Sequence, residues 1–243
     1  MIRGSEMSED EIGARIVATL RRDLLIDLLD AAESRARQAH ELIRDNTDLT
    51  GRSARGLEGQ ARFRLMEKGF QDVCERHGGM RLEGDVIPGT DLQYFQPFMR
   101  FGGDKPGVLL GLASMPAPRE LPTKNKSRLV GVTLNYLLTP RLDLEGGKGR
   151  AKPGDIFVLF LFARDPSRGG RLNEVAVGVI DAEYNGFLEY RTVELLMEAY
   201  APPPNSTEPS SGGQPLVTLK TSPRAFRPPE KPDSDDATDN PSG

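Results

Sequence analysis

The chain has few of the side chains that catalysis and metal binding most often use, with two histidines and one cysteine among 243 residues. Cys74 and His77 have C-x-x-H spacing, but a zinc site needs three or four converging ligands. A helical hairpin turning near residues 46–52 would place His40 roughly 24 Å from Cys74 at 1.5 Å per residue, so His40 cannot complete the set. We therefore expect a buried thiol and a helix-end histidine, with no metal and no cofactor.

Motifs for nucleophilic catalysis and for nucleotide loops are also missing. No G-x-S-x-G segment occurs, and a Ser-His-Asp or Cys-His site would depend on one of the two histidines. The [DE]-x-Lys motif of magnesium nucleases is absent, and the glycine-rich segments 102–107 and 145–155 lack phosphate-loop spacing. We expect no catalytic motif. An enzyme would need a site assembled from dispersed polar groups, such as Asp85, Asp91, Arg100 and Asn135.

Local positive charge is a stronger signal than any catalytic motif. The segment 119–171 contains eleven basic and five acidic residues, a net charge of +6 in a chain whose total is -4. Contact with phosphate requires such clusters. The surplus is concentrated in two predicted loops, 119–128 and 141–152. The candidate nucleic-acid-binding residues in these loops are Lys124, Lys126, Arg128, Lys148, Arg150 and Lys152.

Two long amphipathic helices are predicted at the start of the chain. A capping-box spacing begins the first helix near residue 8, and apolar residues recurring every four positions extend it to about Ile43. Turn-forming residues follow, and a second apolar stripe ends at His77. Residues 8–78 are therefore predicted to form an antiparallel helical hairpin.

The apolar period changes to two after this hairpin, which predicts β structure within residues 79–200. The run 156–163 does not alternate, which is typical of a strand buried on both faces, and its eight residues are too few for a membrane helix. A connection of about ten residues then favours an antiparallel hairpin. A helix is expected over 190–200. The five expected strands are 92–101, 108–115, 129–138, 156–163 and 174–181.

The composition changes sharply after Tyr200. Ten of the 19 prolines lie between Pro202 and Pro241. This segment has too little apolar surface to offset the entropy lost on ordering, so residues 201–243 are predicted to be a disordered tail. The predicted fold class is α+β: an N-terminal antiparallel helical hairpin packed with a largely antiparallel five-stranded sheet, a short C-terminal helix and the tail.

These observations favour a non-catalytic interaction or regulatory protein in the cytoplasm. A single cysteine forms no internal disulfide, and the mild net charge gives no reason to expect a membrane partner. The expected partner is another protein or a second copy of the chain, which would pair through Leu24 and Leu28 on the first helix. The aromatic segment 91–103 offers Tyr94 and Phe98 to a partner. Nucleic-acid binding through the basic loops is the alternative, and a dispersed enzyme site is the third hypothesis.

Overall fold

A computed structural model of the chain describes residues 9–82, 96–137 and 154–200. These residues form five α-helices, six β-strands and a short 3₁₀ helix that follows α4. In chain order the elements are α1 Glu9–Thr19, α2 Arg22–Asn46, α3 Gly51–Arg76, β1 Met80–Arg81, β2 Met99–Phe101, β3 Val108–Met115, α4 Lys126–Thr133, the 3₁₀ helix Leu134–Leu137, β4 Ile156–Arg164, β5 Leu172–Ile180, β6 Phe187–Thr192 and α5 Val193–Glu198.

The six strands form one mixed sheet in the order β1-β2-β3-β4-β5-β6. All neighbours are antiparallel except β3 and β4, which run parallel from the pair Val108 and Ile156 to the pair Met115 and Ala163. The predicted antiparallel hairpin is confirmed as β4 and β5. The expected α+β class and a largely antiparallel sheet are therefore confirmed, with six strands among the described residues instead of five.

Both faces of the sheet are covered. On one face Val158 and Phe160 of β4 share a hydrophobic core with residues of α1, α2, α3 and α5, including Leu24. On the other face Phe157 packs with Val130 of α4. The uniformly apolar sequence of β4 follows from this arrangement, because a strand covered on both faces has no polar side to present. No helix in the described residues is long and apolar enough to cross a membrane.

The predicted long first helix is in fact two helices, with a break at Leu20 and Arg21. The carbonyl of Leu20 accepts a hydrogen bond from the hydroxyl of Tyr200. The amide of Leu24, which would bond that carbonyl in a continuous helix, donates instead to the Asp23 carboxylate at 3.0 Å. The hydrogen bonds made by Tyr200 and Asp23 thus replace the backbone hydrogen bond that would make α1 and α2 one continuous helix.

The strand expected over 129–138 is wrong, because residues 126–137 form α4 and the 3₁₀ helix. The side chain of Asn125 caps α4 by accepting from the amide of Arg128 at 2.8 Å. Val130 and Leu134 are four positions apart. This spacing places them on one face of a strand, and equally on one face of a helix. A Cβ on Gly131 would lie 2.3 Å from the Phe157 ring, so this helix approaches the sheet at a glycine.

The predictions at the two edges of the sheet are also corrected. β1 and β6 were not expected, and the helix predicted over 190–200 begins only at Val193, after β6. The Thr192 hydroxyl marks the change by capping α5, accepting from the Leu195 amide at 3.3 Å. Of the strand expected over 92–101, the described part is a strand only at Met99–Phe101. The predicted tail, 201–243, lies outside the described residues.

Candidate functional site

A cavity of 530 Å³ lies at the carboxyl ends of the two parallel strands, β3 and β4, beside α3. Parallel strands end at the same edge of a sheet, and the chain segments that leave them diverge and open a crevice. We call it the arginine cavity. Its lining residues are Gly59, Arg62, Phe63, Ser114, Met115, Pro116, Thr123, Arg128, Phe162 and Arg164.

Three arginines from three different elements line this cavity, and its described lining includes no acidic residue. Arg62 comes from α3, Arg128 from α4 and Arg164 from the end of β4. Arg62 and Arg128 are buried, at 9% and 7% relative exposure. Charged side chains are rarely buried without a partner of opposite charge, because transfer out of water is costly. Two of the three guanidinium groups are thus buried, one of them paired with Glu58, and the third, that of Arg164, is exposed.

Arg62 is held in place by a chain of polar contacts. It lies four residues before Met66 on the buried face of α3. Its Nη1 donates to Glu58 at 3.1 Å, and the other oxygen of that carboxylate is 3.0 Å from Nδ1 of His40 on α2. Burial lowers the pKa of Arg62, Glu58 opposes the shift, and the positive charge of Arg164 adds to it. Arg62 and Arg164 therefore repel each other across the cavity.

Arg128 is fixed by its helix cap and by one side-chain bond, but part of its guanidinium has no partner. Its Nη1 donates to the carbonyl of Thr123. Its Nε is buried and has no hydrogen-bond partner. Burial lowers the pKa of Arg128, partly offset by the hydroxyl of Tyr184. An unmet buried donor is costly, so this Nε is a position where an acceptor would be stabilising.

Arg164 stands where the regular pairing of β4 and β5 ends. The register shifts between Ala163 and Arg164, and bulges of this kind often redirect a side chain at the end of a strand. The loop that follows is tied to α2, because a Cβ on Gly169 would lie 2.3 Å from Cε1 of His40. His40 thus contacts both the loop after Arg164 and Glu58, the carboxylate that pairs with Arg62.

The carboxylate of Asp165 organises the turn that follows Arg164. It accepts from the amide of Ser167 at 2.8 Å and from its hydroxyl at 2.6 Å, and Nε of Arg168 donates to it at 2.8 Å. The Ser167 hydroxyl and amide lower the pKa of Asp165 from an ordinary 3.8 to about 2, helped by Arg168. These bonds favour the ionised form.

We predict that Asp165 titrates near pH 2 in the folded protein. Since the folded pKa is lower than the unfolded one, its contribution to stability is present above about pH 4 and is lost as the pH falls toward 2. Ser167→Ala should raise the pKa toward its ordinary value. The side-chain carboxyl carbon resonance of Asp165, followed by NMR against pH, measures both values. An unchanged pKa in Ser167→Ala would contradict the assignment, and Ser53→Ala on α3 is the control.

A second cavity, of 880 Å³, adjoins the first, because Gly59 and Phe63 line both. We call it the amide cavity, since three carboxamide side chains line it. The Oε1 atom of Gln96 in this cavity is buried and has no hydrogen-bond partner. Its lining residues are Gly56, Leu57, Gly59, Gln60, Ala61, Phe63, Arg64, Gln96, Asn125, Lys126 and Ser127.

The two cavities together form a groove with a net positive charge, which we call the basic groove. Its described lining includes five cationic side chains and no anionic one: Arg62, Arg64, Lys126, Arg128 and Arg164. Glu58 and Glu67, just outside the lining, pair with Arg62 and Arg64. Low-dielectric walls strengthen the attraction of such a groove for anions.

The structure brings part of the predicted basic set to this groove. Lys126 lines the amide cavity and Arg128 the arginine cavity. Lys124 lies with its Nζ 5.4 Å from the centre of the Tyr184 ring, outside the lining of either cavity. Lys148, Arg150 and Lys152, with the whole of the loop 141–152, lie outside the described residues.

The residues predicted to bind a partner lie in the core where they are described. Leu24 and Leu28 are each 1% exposed, within the core that joins α2 to the sheet. Phe98 is also 1% exposed, and its ring meets the Phe157 ring edge-on at a centroid distance of 5.0 Å. These three side chains are thus covered by their own chain. Changing any of them to Asp would place a charge in the core and disrupt folding, so it would not be a specific test of association. Tyr94 lies outside the described residues.

The polar residues of the dispersed-enzyme hypothesis have structural partners. Arg100 is fully buried in a salt bridge with Asp155 at 2.7 Å. Asn135 bonds the backbone of Phe157 and of Ile180. They contribute to packing at two separate places. Asp85 and Asp91 lie outside the described residues.

Cys74 and His77 have different surroundings and different structural roles. Cys74 is buried in the main core, and burial raises the pKa of its thiol. His77 ends α3 and its Nε2 is 2.8 Å from the carboxylate of Asp27 on α2. Over residues 9–82, 96–137 and 154–200, no three His, Cys, Asp or Glu side chains group as metal ligands would.

Comparison of the chain with protein-family models, with curated proteins and with solved structures found no match in any of the three.

Proposed function

We propose that the protein is a non-catalytic binding protein whose ligand carries a phosphate group, and that the arginine cavity receives this group. The observation that carries the proposal is the convergence of Arg62, Arg128 and Arg164 on one cavity whose described lining has no acidic residue. Guanidinium groups match phosphate oxygens in geometry as well as in charge, because they donate parallel N–H bonds from a rigid plane.

The electrostatics of the cavity support an anionic ligand. Arg62 and Arg164 repel each other, and burial lowers the pKa of both Arg62 and Arg128. A phosphate between them would replace repulsion with attraction and would give the unpartnered Nε of Arg128 an acceptor. The described lining offers hydrogen-bond donors but no carboxylate or histidine to move a proton. These side chains favour ligand binding without catalysis.

This proposal keeps part of the leading sequence-based hypothesis and part of the alternative. It retains the non-catalytic protein of the leading hypothesis and the phosphate contacts of the alternative, with Lys126 and Arg128 in common. A cytoplasmic location is also proposed, because the single cysteine, Cys74, is a buried free thiol that fits a reducing compartment.

We predict that inorganic phosphate binds the full-length protein and that Arg164→Gln weakens this binding at least about tenfold, the loss of one charge-assisted hydrogen bond. Arg164 is exposed, so its replacement should leave the fold intact. Isothermal titration calorimetry at low ionic strength measures both affinities, and added NaCl should weaken binding. Arg44→Gln, an exposed residue at the end of α2, removes the same charge elsewhere and should bind like the unchanged protein.

Two results would contradict the proposed phosphate site. No heat of binding from folded protein at low ionic strength would overturn the proposal. Equal weakening in Arg164→Gln and Arg44→Gln would do the same, because it would reduce the effect to net charge. Far-ultraviolet circular dichroism on each variant confirms that the fold is retained before the affinities are compared.

A further inference from the structure

We infer that the ligand is a nucleotide with a terminal 5′-phosphate, its phosphate in the arginine cavity and its base in the amide cavity. This inference rests on the proposed function and goes beyond it by naming the ligand class. The two cavities adjoin at Gly59 and Phe63, so one ligand can occupy both. Their volumes, 530 and 880 Å³, lie in the range of small-molecule sites.

Two unpaired buried atoms define the chemistry at the two ends of the ligand. Nε of Arg128, a residue that lines the arginine cavity, is a buried donor without an acceptor. Oε1 of Gln96, a residue that lines the amide cavity, is a buried acceptor without a donor. A ligand that satisfies both must carry acceptor oxygens at one end and N–H or O–H groups at the other. A phosphate and the exocyclic amine of a base have these properties.

The remaining side chains of the amide cavity suit the edge of a base. Gln60 and Gln96 each carry a carboxamide with a donor and an acceptor side by side, whereas Oδ1 of Asn125 already accepts from the Arg128 amide. Carboxamides pair with the donor and acceptor groups along the edge of adenine in the same bidentate way. Phe63, which lines both cavities, offers a ring for stacking.

The glycines of α3 point to close approach by a ligand. Glycine destabilises a helix interior relative to alanine, and it leaves the helix backbone uncovered by a side chain. A Cβ at Gly56 or at Gly59 would meet nothing within 4 Å among the described residues, so no packing in that part of the chain requires glycine there. Both glycines line the amide cavity, and Gly59 also lines the arginine cavity. The open helix face at Gly59 lets a ligand lie against the backbone between the two cavities.

The test compares ligands that contain one or both ends of the nucleotide. Isothermal titration calorimetry on the full chain uses inorganic phosphate, adenosine, and adenosine 5′-monophosphate. We expect adenosine 5′-monophosphate to bind at least about tenfold tighter than phosphate, since it adds base contacts to the same phosphate contacts. Arg164→Gln should weaken the binding of phosphate and of the nucleotide by the same factor.

A glycine substitution separates the base contacts from the phosphate contacts. Gly56→Ala, at a glycine that lines the amide cavity alone, should raise the thermal midpoint of unfolding because alanine favours the helix, and should weaken nucleotide binding about tenfold by occupying space beside the base. Binding of inorganic phosphate should stay within about twofold of its original value. Ser53→Ala, on the same helix but outside both cavities, is the control and should leave the binding of both ligands unchanged.

Oligonucleotides distinguish the two sources of this chemistry. A 5′-phosphorylated oligonucleotide that binds tighter than both the free nucleotide and its unphosphorylated twin would support the inference and identify a nucleic-acid end as the source. A free nucleotide that binds as well as the oligonucleotide would support it with a small-molecule source. Equal binding of the two oligonucleotides, with no binding of the nucleotide, would overturn it in favour of internal phosphates.

Failure of this inference is distinguishable from failure of the proposed function. If phosphate binds and responds to Arg164→Gln, while adenosine 5′-monophosphate binds no tighter and Gly56→Ala has no effect, the nucleotide assignment is wrong and the phosphate site stands. If neither ligand binds to folded protein, both are wrong.

Discussion

Asp155→Ala is expected to lower the free energy of unfolding by about 3–5 kcal/mol, because it leaves the guanidinium of Arg100 buried without its counterion. Nε and Nη2 of Arg100 donate to the two oxygens of Asp155 at 2.7 and 3.0 Å. The same guanidinium donates to the carbonyls of Gly103 and Lys105, and Asp155 accepts from the amide of Gly107 at 2.7 Å. The pair therefore joins β2, the turn before β3 and the start of β4. Urea denaturation measures the change.

A double-mutant cycle identifies the cause of this loss. Arg100→Met should be about as destabilising as Asp155→Ala, since each leaves one buried charge alone. The double variant Arg100→Met with Asp155→Leu should lose much less than the sum of the single changes, because a buried ion pair can be replaced by apolar side chains at little net cost. Additive losses, or single losses under about 1 kcal/mol, would show that the pair is not coupled in this way.

Asn135→Ala is expected to cost about 2–4 kcal/mol, because it removes the partners of buried backbone groups from two strands. Oδ1 of Asn135 accepts from the amide of Phe157 at 2.7 Å. Nδ2 donates to the carbonyl of Ile180 at 2.8 Å. The side chain thus connects the beginning of β4 to the end of β5, where the strands no longer pair. Thermal and urea denaturation both report the loss.

Asn135→Asp is the matched variant, of nearly the same shape. A carboxylate keeps the acceptor for Phe157 but places negative charge against the carbonyl of Ile180, so burial should raise the pKa of the new acid. The variant should be least stable at neutral pH and regain stability as the pH falls through that raised pKa, because the protonated acid can donate. A variant with the same stability at pH 4 and pH 7 would contradict the bonding described.

The fold class was predictable because long patterns determine it. The two helical stripes and the apolar run of β4 each extend over many residues, so a single exception does not obscure the period. Short segments were less predictable. Val130 and Leu134 fit a strand and a helix equally well, and only the capping residue Asn125 favours the helix over the strand. The break at Leu20 depends on Tyr200, a contact across the chain that no local pattern contains.

The candidate site was predictable only in part. Lys126 and Arg128 belonged to a visible cluster of charge, but Arg62 and Arg164 come from distant segments that meet only in three dimensions. One local signal pointed to Arg62: it lies four residues before Met66, in line with the apolar stripe of α3. An arginine in such a stripe indicates a buried charge that needs a partner. The spacing of Gly56 and Gly59 in the same helix was a second signal.

The central claim is that the arginine cavity binds phosphate, and the Nε–H resonance of Arg128 tests it most directly. This group is buried and unpartnered, so a bound phosphate should give it an acceptor. The resonance is assigned by its loss in Arg128→Lys and followed during titration with phosphate, with NaCl of equal ionic strength as the control. We predict a saturable downfield shift with phosphate alone, as expected for a new hydrogen bond. An Nε–H resonance that does not move while the protein stays folded, or that moves equally with chloride, would contradict the account.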